Sequence, residues 1–400
     1  MADEANEPLF TVTKAHLNTG LRGIPVGTCR TSKVDPMEGL SYRGYPIKQL
    51  AFLEDEAVVY LILNGELPTN EQYDEFSAML KSHRGVPTEV LDLLKALPKD
   101  GHPMEWLIAG LVFLGMTCRT GDYLKDTYNV IAKLPELVAA IFRIREGWGE
   151  LIPSDPKLSL SADFAQMLAV PGADSRKLTK MLRTFYILHM DHGGGNLSTF
   201  AGKAIASAHT DVYSSLAGAM AALYGPLHGR ANQDCLEFVQ KVGTQDPVEM
   251  EAFVRGELAA GGVMYGFGHA VLRAEDPRAA IQYELGEEVC PNDPLFRTAV
   301  VMREVVVRVL KEMPKVQNPY PNVDAVSGTL LNASGLTNSD YYTVLFGLSR
   351  CTGIAAQIVD ERVNFRGGKG TPIVRPKYIA ENQPPRSLGE VASRCMLHDG

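Results

Sequence analysis

The sequence predicts a mainly α-helical fold. Apolar residues recur at the 3.6-residue helical period in segment after segment, and alternating strand patterns are scarce. One stretch is apolar on nearly every side, which suits a buried helix rather than a surface one. Four hundred residues are too many for one small core, so two or three domains are expected.

In chain order, "GIPVGTCRTSKVD" (23–35) is the one segment that reads as a hairpin. "PTNEQYDEFSAMLKSH" (68–83) predicts a helix with Thr69 as N-cap, Gln72 completing a capping box, and Tyr73, Phe76 and Leu80 on one face. The apolar run from Trp106 to Met116 is too short to span a bilayer and follows Glu105. Segments 136–148 and 175–190 share the helical rhythm. Segment 211–225, "DVYSSLAGAMAALYG", is the buried helix; its Ala and Gly residues permit close approach, within a domain core or at a subunit interface. Gly225 and Pro226 break it, and a helical pattern resumes at 230–242. "KVQNPYPNVDAVSG" (315–328) carries two prolines and reads as a loop. "NFRGGKGTPIVRPK" (364–377) reads as a Gly-rich basic loop. These breaks divide the chain into a large domain, 1–229 with 336–400, and a smaller, mobile one, 230–335.

Composition narrows the classes. At 45% hydrophobic and 22% charged the chain is an ordinary globular protein, and a net charge of −8 disfavours a general nucleic-acid binder. Cys29, Cys118, Cys235, Cys290, Cys351 and Cys395 show no motif spacing, which suits a reducing compartment. The start, "MADEANEPLF", has neither a signal peptide's apolar core nor a transit peptide's arginines, so a cytoplasmic protein without a membrane span is expected.

The chemistry-bearing motifs begin with "LHMDHGGGNLSTF" (188–200). His-x-Asp-His would suit zinc if more ligands were near, but the chain has no HExxH, HxHxDH or CxxC. A buried structural histidine pair and a substrate pocket both stay open. "GGKGT" (367–371) fails as a P-loop, "GFGHAV" (266–271) lacks the third glycine of the dinucleotide fingerprint, and no GxSxG occurs. His192, His228 and His269 each have glycine beside or near them, where a ligand can approach closely. An imidazole at a helix N-terminus sits in positive potential and stays neutral. Asp324 reads equally as a base or a helix N-cap. Arg278, Arg350 and Arg375 sit in apolar or turn contexts where a guanidinium needs a carboxylate, from the protein or from a ligand. Three histidines, one carboxylate and several arginines suit carbon–carbon chemistry on a dicarboxylate.

"GPLHGRANQD", "GFGHAVLRAEDPR" and "NPYPNVDAVSG", in this order and spacing, resemble the citrate synthase family. "HMDHGGGN", "YYTVLFGLSR", "PIVRPK" and "GLSYRGYPI" reinforce the resemblance, which runs from about residue 20 to 380 and is closer to the mitochondrial-type branch. It implies an almost wholly helical homodimer whose small domain closes over oxaloacetate. By that resemblance Asp324 is the base that takes a methyl proton from acetyl-CoA, His228 stabilises the enolate oxygen, and His269 polarises the oxaloacetate ketone. His192, Asn196, Arg278, Arg350 and Arg375 correspond to the oxaloacetate set, Arg375 reaching the other subunit's site. Leu227, Val263, Gly266, Gly268, Ala270, Arg273, Lys315 and Asn322 correspond to the CoA surface. No metal and no tightly bound cofactor is implied; CoA is a co-substrate. 2-Methylcitrate synthase, which uses propionyl-CoA, shares these motifs and is the alternative. Arg230 departs from the small or apolar residue usual after the His-Gly pair and is expected to add positive charge near CoA. The loop before Arg375 is also longer than in the mitochondrial type.

Overall fold

The structure, a computed structural model, describes residues 7–381 and 383–385. Its small sheet is antiparallel: β1 (Ser32–Asp35), β2 (Gly39–Tyr42) and β3 (Tyr45–Pro46), with Ser32 opposite Tyr42 and Val34 opposite Leu40. The expected hairpin lies here, but later than the sequence suggests: residues 23–31 form no strand. Its turn meets the second half of the molecule at Gly39, where φ is +83° and a Cβ would stand 2.4 Å from Pro277.

Ten helices follow: α1 (Ile47–Leu50), α2 (Asp55–Asn64), α3 (Asn70–Ser82), α4 (Thr88–Ala96), α5 (Pro103–Cys118), α6 (Tyr123–Glu146), α7 (Leu160–Leu168), α8 (Ser175–His189), α9 (Leu197–Ala206) and α10 (Val212–Tyr224). Thr69 caps α3 and Gln72 closes the box, as its sequence predicts; Phe76 and Leu80 are buried and Tyr73 half-buried. The apolar helix is α10, capped by Asp211. It packs on α5 and α9 at distances only small residues permit: a Cβ on Gly115 would lie 2.7 Å from Tyr213, and one on Gly218 2.2 Å from Ile205. Core packing within the chain therefore accounts for much of its apolar surface.

After the Gly225–Pro226 break come α11 (Ala231–Val242), α12 (Pro247–Ala259), α13 (Pro277–Val289), α14 (Pro294–Lys311) and α15 (Asp324–Ala333). Three of them open on Asp-Pro, with the aspartate of 246, 276 or 293 as N-cap and proline at the first helical position, where its missing N–H costs nothing. These five helices pack on one another, and α13 and α15 reach across to α8.

The chain returns through α16 (Tyr342–Val359), which continues into a π turn at Asp360–Asn364. The span Ser339–Asn364 is long and apolar enough to cross a membrane, yet 94% of its most apolar window is buried inside the fold. It packs against α6, α8, α9 and α10 and is the central helix of the larger part. A Cβ on Gly353 would stand 2.1 Å from the Met190 carbonyl oxygen, so glycine there lets α16 lie directly under the 190–196 loop.

Candidate active site

The two histidines of "HMDH" divide. His189, on the last turn of α8, is buried, stacks on Phe185 at 4.0 Å and bonds the Phe185 carbonyl through Nδ1 at 2.8 Å. Burial pushes its pKa down to about 3 and keeps it neutral; it is a packing residue. His192 follows the helix. Its Nε2 is buried with no protein partner, and its ring faces His269 at 5.4 Å. Burial, then Arg278 and Arg350, hold His192 well below the usual imidazole range.

Asp191, between them, anchors the loop. Its fully buried carboxylate accepts from Thr31 Oγ1 (2.5 Å), Gln357 Nε2 (2.7 Å) and its neighbour's N–H at His192 (2.8 Å). Tyr42, from the "GLSYRGYPI" motif, accepts from the Asp191 N–H at 3.3 Å. His189, Asp191 and His192 thus turn to different partners. Among the described residues the one acidic or imidazole cluster with metal-like spacing is Glu54, Asp55 and Glu56, and oxygens of the last two cap α7 at Leu160 and Ser161.

Asn196 is the N-cap of α9. Its Oδ1 accepts from the Thr199 N–H and Ser198 Oγ (both 3.0 Å), while Nδ2 donates to the Gly193 carbonyl (3.0 Å). The amide is thereby engaged in holding the turn. The adjacent Ser198 N–H, in the first turn of α9, donates to His228 Nε2 at 3.1 Å, with Ser198 Oγ 2.9 Å from the same nitrogen. A backbone donor makes Nε2 the acceptor, so the hydrogen-bond network assigns the proton to Nδ1. Burial pushes His228 down to about 4, and Arg350 adds to the shift. His228 lies just before α11, the helix its own sequence leads into, yet the helix that meets its ring is α9, thirty residues upstream.

His269 lies in the loop between α12 and α13. Its Nδ1 accepts from the N–H groups of Val271 and Leu272, each at 3.0 Å, leaving the proton on Nε2. Burial, then Arg278, lowers its pKa.

Arg278, two residues into α13, is buried and gripped by Asp276: Nη2 to Oδ2 is 2.7 Å and Nε to Oδ1 3.0 Å. Burial opposes the guanidinium's charge, but Asp276 more than offsets it and raises the pKa. Arg350, on α16, is buried with no carboxylate within 4.0 Å among the described residues. Its Nε donates to the His189 carbonyl (3.0 Å) and its guanidinium covers Phe346 at 4.6 Å. Burial brings it down to about 10, so it remains a cation at neutral pH. One buried arginine has its counterion and the other waits for one.

Asp324 is the first residue of α15, not its cap; Val323 holds that place without a side-chain bond. Its carboxylate, partly open to the cleft, takes no hydrogen bond among the described residues. Burial pushes its pKa up to about 6, against the pull of Arg278 and Arg350 and with Asp276 adding to the rise.

Of the remaining candidates, Gly266 and Gly268 sit at φ of +79° and +86°, backbone that favours glycine. Leu227, Val263, Ala270, Arg273 and Lys315 are each exposed. Arg230 is half-exposed and pairs at the surface with Asp234 at 2.8 Å and Glu237 at 3.7 Å. Arg375 is exposed in irregular chain and makes no hydrogen bond or ion pair among the described residues. Two contributors escaped the sequence reading. Asp276 was signalled by its Asp-Pro cap motif; Ser198 had no local signal, because it acts on a residue far along the chain.

Residues 20–377 match the family model "Citrate synthase, C-terminal domain". The chain is 37% identical to "Citrate synthase, mitochondrial" of Daucus carota, over 94% of this chain and 84% of that one. It is also 37% identical to "2-methylcitrate synthase, mitochondrial" of Yarrowia lipolytica, over 92% and 84%. Among solved structures, citrate synthase from Thermotoga maritima superposes with a TM-score of 0.79 at 29% identity, covering 95% of this chain and 99% of that one. The cytoplasmic expectation is overturned here: relatives from Daucus carota, Arabidopsis thaliana and Citrus maxima are all named mitochondrial. The start of the chain misled because the absence of a recognisable transit pattern carries little information.

Proposed function

The chain belongs to the citrate synthase family and is an acyltransferase forming citrate and CoA from acetyl-CoA, oxaloacetate and water; we propose that Asp324, His228 and His269 carry the chemistry. Like the family, it needs no tightly bound cofactor, and CoA enters and leaves as a co-substrate. What supports the assignment of roles is a carboxylate with a raised pKa and no hydrogen bond among the described residues, sharing the charge of Arg350 with His228 and that of Arg278 with His269, and two neutral imidazoles each held by backbone N–H donors at one ring nitrogen.

A thioester α-proton is weakly acidic, so base and enolate stabiliser must act together. Asp324 takes a methyl proton while the His228 Nδ1–H donates to the thioester oxygen as charge develops on it. A neutral donor pinned by the α9 N-terminus does this without first losing a proton. The His269 Nε2–H polarises the oxaloacetate ketone and gives its proton to the alkoxide as the carbon–carbon bond forms. Water then cleaves the thioester, releasing CoA. Arg350, with no carboxylate partner among the described residues, donates to a carboxylate of oxaloacetate; Arg278 and His192 bind the rest. Asn196 supports this site through its loop and α9. The reaction suits the first step of the tricarboxylic acid cycle.

We further infer a homodimer in which residues 230–335 close as a small domain and Arg375 enters the partner's site. An exposed Arg375 without a partner among the described residues supports this, as do the apolar side chains of Val112 and Met116, 38% and 70% exposed on α5. Thiol release from acetyl-CoA and from propionyl-CoA, each with oxaloacetate, tests the assignment. A higher kcat/KM for propionyl-CoA would make the enzyme a 2-methylcitrate synthase.

A further inference from the structure

Asn322 stands two residues before the base, and both ends of its side-chain amide are engaged by the backbone. Its Oδ1 accepts the Asp324 N–H at 2.9 Å, and its Nδ2 donates to the Gly268 carbonyl at 3.0 Å, directly before His269. Its own N–H donates to the Gly266 carbonyl at 2.9 Å. Around this pivot the Gly268 N–H reaches the Tyr320 carbonyl (2.9 Å), and Phe267 pairs with Pro321 as an isolated bridge. Gln282, on the helix that carries Arg278, donates to the Val323 carbonyl at 2.8 Å.

We propose that Asn322 is a positioning residue that holds the base Asp324 and the polarising imidazole His269 in register, rather than a contact for CoA. The inference rests on the roles given above to those two residues. Its physical basis is twofold. The loop bearing His269 turns on two glycines at positive φ, which supply freedom rather than rigidity, so its place must be fixed from outside. A primary amide has a donor and an acceptor on one short, planar arm, and here each faces one of the two catalytic segments. Asparagine therefore couples them through a single side chain. The mechanism requires both groups to act in one encounter with substrate, and a misplacement of about 1 Å costs about 10²-fold in rate.

The test uses the full-length enzyme with Asn322→Ala and Asn322→Asp, and Asp324→Asn as a control. Three readouts separate the groups: the ¹³C shift of the bound oxaloacetate ketone for His269, the primary isotope effect with methyl-deuterated acetyl-CoA for Asp324, and the KM for acetyl-CoA for a ligand contact. In Asn322→Ala, kcat should fall about 10²-fold, the isotope effect should grow, and the ketone shift should move towards that of free oxaloacetate. Oxaloacetate Kd and the KM for acetyl-CoA should hold. Asn322→Asp keeps the acceptor, loses the donor and adds charge beside Asp324, so the acidic limb of its pH–rate profile should move to higher pH. This variant, closest in shape, also serves if the alanine variant fails to fold. A raised KM for acetyl-CoA at unchanged kcat would overturn the proposal and make Asn322 a CoA ligand. So would a loss of kcat with the ketone shift unaltered, because the two groups would then not be coupled. Failure of the underlying roles shows separately, as an Asp324→Asn enzyme that retains turnover.

Discussion

Asp324 combines two properties that pull against each other: a base must be ionised to work, and this cleft disfavours the ion. With its pKa pushed up to about 6, the acidic limb of kcat/KM should fall with a midpoint near that value, read from thiol release between pH 5 and 8. Asp324→Asn removes the accepting lone pair while keeping the shape. Turnover should drop at least about 10²–10⁴-fold, with oxaloacetate affinity by calorimetry retained through His192, Arg278 and Arg350. Turnover within tenfold of wild type would remove Asp324 from the mechanism. The same substitution bears on stability. A carboxylate whose folded pKa lies above its ordinary value costs the fold stability at high pH; the cost is full above about 6 and fades as pH falls from there towards the ordinary value of 3.8. The Tm of Asp324→Asn should therefore exceed that of wild type at pH 8, and the gap should narrow below about pH 6 and close only near pH 4.

Helices aim these groups, and two substitutions separate those that serve the site from those that serve only the fold. Gly353 lets α16 approach the loop of Asp191 and His192 so closely that a Cβ would overlap the Met190 carbonyl. Gly353→Ala should cost about 1–3 kcal/mol or more by overpacking and raise the KM for oxaloacetate by displacing His192. Thr69→Ala removes the box that starts α3, far from the chemistry. It should cost about 0.5–2 kcal/mol, with kcat and KM unchanged. Denaturant melts paired with steady-state kinetics check both; an unaltered KM in Gly353→Ala would show that the loop does not depend on this contact. Asp191 belongs to the same level. It sits inside the most eye-catching motif of the chain, yet it ties Thr31, Tyr42 and Gln357 together and leaves the substrate to its neighbour.

For the whole molecule, the decisive question is whether a single chain contains a complete site. Arg375 lies on an exposed segment joined to the body where the Val374 N–H meets Ser207 Oγ at 2.9 Å. If it completes the partner's site, mixing Arg375→Ala with Asp324→Ala subunits should restore activity, because the hybrid holds one site with both defects and one with neither. Verified heterodimers without activity would confine Arg375 to its own chain or remove it from the site. Substrate choice also belongs to this scale if, as proposed, residues 230–335 close over the acyl group. One methylene is worth only about 1–3 kcal/mol in an apolar pocket. Acetyl-CoA should therefore be preferred, with propionyl-CoA still turned over measurably.

The sequence by itself determined the helical class, the caps at Thr69 and Asp211, the break at Gly225–Pro226, and the residue types that make acid–base chemistry on a dicarboxylate possible. Those depend on neighbours within a turn or two, where period, caps and breakers act directly. Tertiary structure decided the rest. His189 and His192 look alike in sequence, and burial against Phe185 made only the first a packing residue. Arg230 pairs with Asp234 one helical turn away. The strong apolar pattern of α16 is compatible with a membrane span, and only its neighbours make it a core helix. The tautomers of His228 and His269 rest on backbone donors, one of them thirty residues distant. Contacts across such distances form only when the chain has packed, so the chemistry of each group was legible in the sequence while its protonation, partner and direction were not.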